Sequence, residues 1–215
     1  MLKRIMNEIS KTFPLREIDI GEMSNLKAKG MKFEISAYEA EGLGHVSVMS
    51  AKGFFGLMKM DTLIINPTKK DLPLYSYDRI YAMGNDTLIV ELYDTLLGEC
   101  DLSKLQEVKT KYKELPLRDP GKHWYDDIKL AESISVKAKT KQSGVFDEYA
   151  MEHLAAFLNA NCQLENVDED EKKKKASVYV EGLLKNGGPS TDVFKKELGE
   201  EKTAELFRKI LFKTV

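Results

Sequence analysis

The chain has 215 residues, with 33 Lys plus Arg against 35 Asp plus Glu, a formal net charge of −2, and two cysteines. That length can bury a substantial core and is expected to form one domain over 1–215; the balanced charge excludes the overall basic field of a nucleic-acid binder, although a local basic patch can hide inside a neutral total. Cys100 and Cys162 lie far apart and form no CxxC pair, which excludes a zinc ribbon or a protein-held iron–sulfur cluster and reads as two ordinary thiols of a reducing, cytoplasmic compartment.

MLKRIMNEISKTF sets Leu2, Ile5, Met6, Ile9 and Phe13 near helical spacing. It lacks the continuous apolar run of a signal peptide, so residues 1–12 are predicted as a helix. Strand signals follow in LKAKGMKFEISAYEA, HVSVMSA, GLMKMDTLIIN, LPLYSYDRIYA and DTLIVELYDT, each rich in β-branched or aromatic residues and separated by Gly, Pro, Asn or Asp. Such short links predict antiparallel neighbours. Helical periodicity returns in LSKLQEVKTKYKEL, in VFDEYAMEHLAAFLNAN, from about Asp168, and in STDVFKKELGEEKTAELFRKILF. DEDEKKKK reads as a helix start whose acids and lysines complement the helix dipole. NGGPS reads as a linker between two helices, with Ser190 or Thr191 capping the second. No stretch reaches membrane-spanning length, and no membrane partner is expected. His45, His123 and His153 show no metal-ligand spacing and no metal site is expected. Helix, strands, helices is the order of an α+β domain whose sheet is covered by helices from both chain ends.

Within LPLYSYDRIYA, alternation puts Leu74, Ser76, Asp78, Ile80 and Ala82 on one face and Tyr75, Tyr77, Arg79 and Tyr81 on the other. Asp78 is thus a carboxylate in an otherwise apolar and aromatic strand. Gly84-Asn85 suits a two-residue hairpin loop, which pairs Met83 with Asp86 and sets Asp78 opposite Glu91; a longer loop sets Tyr93 there instead. Facing carboxylates repel, and burial raises the pKa of at least one. The face carrying Asp78 either meets solvent or holds a ligand above Ser76 and Asp78; alternation alone leaves both open. Met58 and Met60, on the face opposite Asp61, suit either core packing or a pocket for a flat ligand.

MDTLIINPTKKDLPLYSYDRI, TLIVELYDT, LPLRDPGKHWYDDI and STDVFKKELGEEKTAELFRKILF together resemble the ferredoxin-dependent bilin reductases and the red chlorophyll catabolite reductases. The resemblance spans most of 45–215 and leaves the first 40 residues poorly matched. It implies a three-layer α/β/α sandwich with a central antiparallel sheet. It also implies an oxidoreductase that binds an open-chain tetrapyrrole between that sheet and the C-terminal helices, with no bound cofactor and with electrons from ferredoxin or flavodoxin. Asp78 occupies the place of the family's proton-donating aspartate, a role suited to a carboxyl of raised pKa. Asp61 stands where some members carry a catalytic histidine, and the glutamate of the preceding strand has no counterpart around Met49 and Ser50. Ser76, Glu91, Trp124 and Asp192 are the substrate-binding candidates; Asp192 is near, though not aligned with, the family's acid before the last helices. Trp124 either lines the pocket or caps the core. Lys137, Lys139 and Lys141 of KAKTK either dock an acidic ferredoxin or guard an edge strand. The alternative to a reductase is a protein of the same fold that holds a tetrapyrrole or other flat anionic ligand without reducing it.

Overall fold

The structure, a computed structural model, describes the backbone of residues 1–215 and every side chain except those of Phe54 and Pro189. Ten strands form: β1 Leu15–Ile18, β2 Asn25–Ala28, β3 Met31–Ala40, β4 Gly44–Gly53, β5 Met58–Asn66, β6 Leu74–Ala82, β7 Asn85–Tyr93, β8 Cys100–Asp101, β9 Ile134–Lys139 and β10 Asn161–Cys162. The helices are α1 Leu2–Thr12, α2 Ser103–Lys111, α3 Phe146–Leu158, α4 Glu169–Asn186, α5 Pro189–Leu198 and α6 Glu200–Glu205; α6 runs into a π-helical turn, Leu206–Leu211. Eight strands make one sheet in the order β1-β3-β4-β5-β6-β7-β9, with β2 sharing the β3 edge with β1. Every pairing is antiparallel, the α+β sandwich expected from the order of the elements.

Strand alternation decides what each face buries. Leu63, Ile65, Tyr75, Tyr77, Leu88 and Val90 face a core closed by α1, α2 and α3. Ile35, Met49, Met60, Ile64 and Leu74 face one closed by α4, α5, α6 and the π-helical turn, through Tyr179, Val180, Phe194 and Phe207. The sheet also grips the chain's end. His45 Nε2 lies 2.7 Å from the Ile210 carbonyl, Ser47 Oγ donates to Leu211 O at 2.7 Å, and Asn66 Nδ2 donates to Phe212 O at 2.7 Å. A carbonyl only accepts, so His45 must carry its proton on Nε2. These bonds satisfy carbonyls that a helix end otherwise leaves orphaned.

Several boundaries differ from the sequence reading. LKAKGMKFEISAYEA is a hairpin, not one strand, because Lys29 and Gly30 both take positive φ and reverse the chain. The β6–β7 loop is Met83-Gly84 rather than Gly84-Asn85: both have positive φ, the geometry of a type I′ turn, and Ala82 pairs with Asn85. The C-terminal helical run breaks at Gly199, whose φ of 82° no L-residue adopts comfortably. The helix after NGGPS starts at Pro189, so neither Ser190 nor Thr191 caps it.

The charge run hides a buried group. Asp168 caps α4 by accepting from the Asp170 and Glu171 amides, as an acidic start should, but Lys172 is buried. Its Nζ donates to Asp71 Oδ1 at 3.1 Å, Leu72 O at 2.6 Å and Thr95 O at 2.8 Å. Asp71 in turn accepts from the Leu97 and Gly98 amides. This network ties α4 to the loops entering β6 and leaving β7. The expectation of two free thiols is also corrected: β8 and β10 pair Cys100 directly with Cys162, and their sulfurs form a disulfide.

Candidate functional site

The β6–β7 register places Asp78 opposite Ile89, and Glu91 opposite Ser76. Glu91 is therefore a diagonal neighbour of Asp78 on the same face, not its direct partner, because the loop sits one residue earlier than the Gly-Asn reading. On its other side Asp78 pairs with Thr62, whose Oγ1 donates to Asp78 Oδ1 at 2.5 Å. Burial raises the Asp78 carboxyl to about 6; the Thr62 hydrogen bond pulls it down and the Glu91 charge pushes it up. Oδ1 is occupied by Thr62, which leaves Oδ2 free to hold and give a proton.

The two faces of β6 and β7 differ in cover. Tyr75, Tyr77, Arg79, Leu88 and Val90 are buried under α3, whereas Ser76, Asp78, Ile80, Ile89 and Glu91 are each only half-buried. The C-terminal helices close over β3, β4 and β5 and leave the middle of β6 and β7 only partly covered, as a shallow cleft. Its wall is aromatic. Tyr179 of α4 stacks on Tyr93 with centroids 3.8 Å apart, Tyr125 packs edge-on to Tyr93 at 5.4 Å, and Trp124 lies 5.7 Å from Tyr179. A hydroxyl relay runs along it: Tyr179 OH donates to Tyr93 OH at 2.8 Å, and Tyr93 OH donates to Glu91 Oε2 at 2.6 Å.

Ser76 and Glu91 thus share the face and the cleft with Asp78, and Trp124 sits at the wall. Trp124 is partly exposed and lies directly on Gly182 of α4, where an added Cβ would come within 2.1 Å of the indole. Asp61 is not brought to Asp78. It pairs with Arg79, so its side chain points to the opposite face, where it accepts from Ser50 Oγ at 2.7 Å. The residue beside Asp78 is Thr62. Asp192 is exposed on the first turn of α5, folded over Gly187, and no bond joins it to Asp78. His123 stacks on Tyr125 at 4.8 Å, outside the carboxylate pair. Among the described residues no group of three His, Cys, Asp or Glu side chains is placed to hold a metal.

Sequence reasoning missed Thr62, Tyr93 and Tyr179, along with two cations at the cleft's edge. Lys129 Nζ lies 4.0 Å from Glu91, and Arg118 Nη1 donates to Ser135 Oγ at 3.3 Å. Thr62 follows from the β5–β6 register, which the longer link between those strands leaves open in the sequence; Tyr179 was not findable, since nothing local ties α4 to β7. A cavity of about 450 Å³ opens at the β9 edge beside these cations, lined by Glu91, Arg118, Lys129, Ser133, Ser135 and Tyr149. Asp78 does not line it and lies instead on the partly covered face of β6.

A scan against protein families matches none, and a search of curated proteins finds no relative. Among solved structures the chain is similar to the crystal structure of phytochromobilin synthase from tomato in complex with biliverdin. The identity is 16%, the TM-score is 0.71, and the match covers 100% of this chain and 83% of that one. At that identity the likeness is one of fold: the chain shares the architecture of phytochromobilin synthase.

Proposed function

We propose that this protein binds an open-chain tetrapyrrole in the cleft between β6–β7 and α4, and reduces it with electrons from an external ferredoxin or flavodoxin while Asp78 supplies the proton. The observation that carries the reading is the Asp78 carboxyl, raised to about 6, on a partly covered stretch of the sheet's C-terminal-helix face. The fold supports it, since a structural neighbour holds biliverdin.

A flat conjugated ligand lies well on a floor of Ile80, Ile89 and Ser76 against an aromatic wall. Its acidic side chains would meet Arg118 and Lys129 at the cleft edge, since carboxylates in a neutral protein need local cations. Adding one electron makes a tetrapyrrole more basic, and the product then depends on which atom receives a proton. Asp78 delivers from Oδ2 while Oδ1 stays anchored by Thr62. At pH 7 roughly a tenth of a carboxyl with that pKa is protonated, and a ligand that displaces water raises the share. The relay from Tyr179 through Tyr93 to Glu91 holds the second carboxylate in place, where its charge helps to raise the Asp78 carboxyl.

One observation favours the non-reducing alternative. Asp61, in the position of a family histidine, faces away, so Asp78 has a threonine rather than a second proton carrier as its ladder partner. Titrating the purified protein with biliverdin, and then adding reduced ferredoxin, separates the two. A spectral shift followed by bleaching supports the reductase; a shift alone supports a binding protein; no shift at tens of micromolar refutes both.

A further inference from the structure

The turn end of the sheet carries a surface that the tetrapyrrole reading does not use. Register places Lys27 opposite Lys32, Lys32 opposite Lys52, and Lys52 opposite Lys59. Four lysines therefore stand in one row across β2, β3, β4 and β5, on the α1–α3 face but beyond the helices' reach, and all are exposed. Like charges directly opposite each other destabilise a sheet. Among the described residues none of the four forms an ion pair; the nearest acids on that face, Glu34 and Asp61, lie one row further in. Lys29, Lys139 and Lys141 are exposed at the same end, and Glu148 at the start of α3 is the exposed acid on its flank.

Beyond this collar project large apolar side chains. Phe55 and Leu57, in the β4–β5 turn, are 108% and 70% exposed, and Met83, in the β6–β7 turn, is 89% exposed. A lone exposed apolar residue is ordinary, but these three cluster on two turns that the β5–β6 pairing makes neighbours. Phe55 and Met83 also hold φ of 56° and 52°. That left-handed geometry suits Gly or Asn and strains a bulky residue. With Lys29, they make three of the four non-glycine residues of positive φ among the described residues, all at this one end. Strain retained at an exposed position points to a use for the side chain.

We propose that this end of the sheet docks on an anionic lipid bilayer, Phe55, Leu57 and Met83 entering the interface and the lysine collar resting at headgroup level. The layering favours a bilayer over an acidic protein: the apolar groups are the tips and the cations stand behind them, as in a medium that is apolar below and anionic above. Peripheral contact needs no spanning helix, and among the described residues no helix is long and apolar enough to span.

The test is co-sedimentation with vesicles of phosphatidylcholine alone or with about 30% phosphatidylglycerol, at low and high salt. Each lysine near an anionic surface strengthens binding about fivefold. The mixed vesicles should therefore bind at least tenfold better than phosphatidylcholine alone, and the advantage should shrink as salt shortens the screening length. Lys52→Glu with Lys59→Glu should remove it. Phe55→Asn with Met83→Asn should weaken binding about tenfold while the protein stays folded with an unchanged or higher Tm, since asparagine relieves the left-handed strain. Equal binding to both vesicle types, or Asn variants that bind like the parent, would overturn the proposal. So would a protein that ignores vesicles but is held, in a salt-sensitive way, by an immobilised acidic ferredoxin, which would make the collar a protein dock.

Discussion

Lys172→Met tests the buried network that fastens α4, and with it the cleft wall, to the sheet. Burial lowers the Lys172 ammonium to about 8 even though Asp71 pulls it upward. Against an ordinary lysine near 10.4, that is about 3 kcal/mol in favour of the neutral form, so desolvation outweighs the attraction and the pair is not a net source of stability. Removing one partner still costs about 3–5 kcal/mol, because it strands the other charge along with the Leu72 and Thr95 carbonyls. In a chain of this size the loss lowers Tm by roughly 6–20 °C. Urea unfolding at pH 7 measures it. Adding Asp71→Asn should recover a good part, since asparagine's single carbonyl oxygen, in the place of Oδ2, still accepts from the Leu97 and Gly98 amides and carries no charge. The sign with pH follows from the shift: between about 8 and 10.4 the unfolded chain binds the extra proton, so parental stability should rise with pH there, and the rise should vanish in Lys172→Met. A single variant that loses under about 1 kcal/mol, or a double variant as unstable as the sum of its parts, would refute the reasoning.

Burial holds His45 and His153 at about 4. The unfolded chain therefore binds their protons first, and stability present above pH 6.5 should drain by about 2 kcal/mol per histidine on descending to pH 5, read from urea midpoints. His153→Gln should reduce that slope. Reducing the Cys100–Cys162 bond, which closes a 62-residue separation, should cost about 2–4 kcal/mol, and the native protein should show no reactive thiol under denaturant; two reactive thiols would contradict the pairing. Gly182→Ala should push Trp124 off α4 and red-shift the emission of the chain's single tryptophan, at a cost of about 1–3 kcal/mol; unchanged emission would mean that the indole does not rest there.

Much of the fold was legible because periodicity is a local signal. The alternation through LPLYSYDRIYA assigned both faces of β6, and the helical stripes located α1, α2, α3 and α4. Register was less legible. Met83 takes a left-handed position that its type disfavours, so the Gly84-Asn85 pair attracted the loop, and a one-residue displacement moved Glu91 from opposite Asp78 to diagonal from it. The same-face assignment survived because a one-residue displacement of the loop changes the register by two. Asp61 was misjudged for a related reason: matching positions along one strand says nothing of which face they serve, and the β5–β6 pairing turns it away. Lys172 and the disulfide are long-range facts. A run of lysines reads as solvated until Asp71, 101 residues away, is known to meet one of them.

The central claim is that Asp78 gives the proton, and Asp78→Asn tests it most directly. Asparagine keeps the shape and a carbonyl for Thr62 Oγ1 but has no proton of the right acidity to give. Relief of the raised carboxyl should leave stability at pH 7 to 8 equal or up to about 3 kcal/mol higher, a gain that disappears as the parent's carboxyl protonates below pH 6. Biliverdin should bind the variant about as tightly as the parent. Under reduced ferredoxin, turnover should fall by ~10²–10⁴-fold, with a one-electron-reduced bilin radical accumulating in the electron paramagnetic resonance spectrum. Parental turnover should itself decline as pH rises above about 6. Reduction by Asp78→Asn at the parental rate, with no radical, would contradict the account at the residue on which it rests.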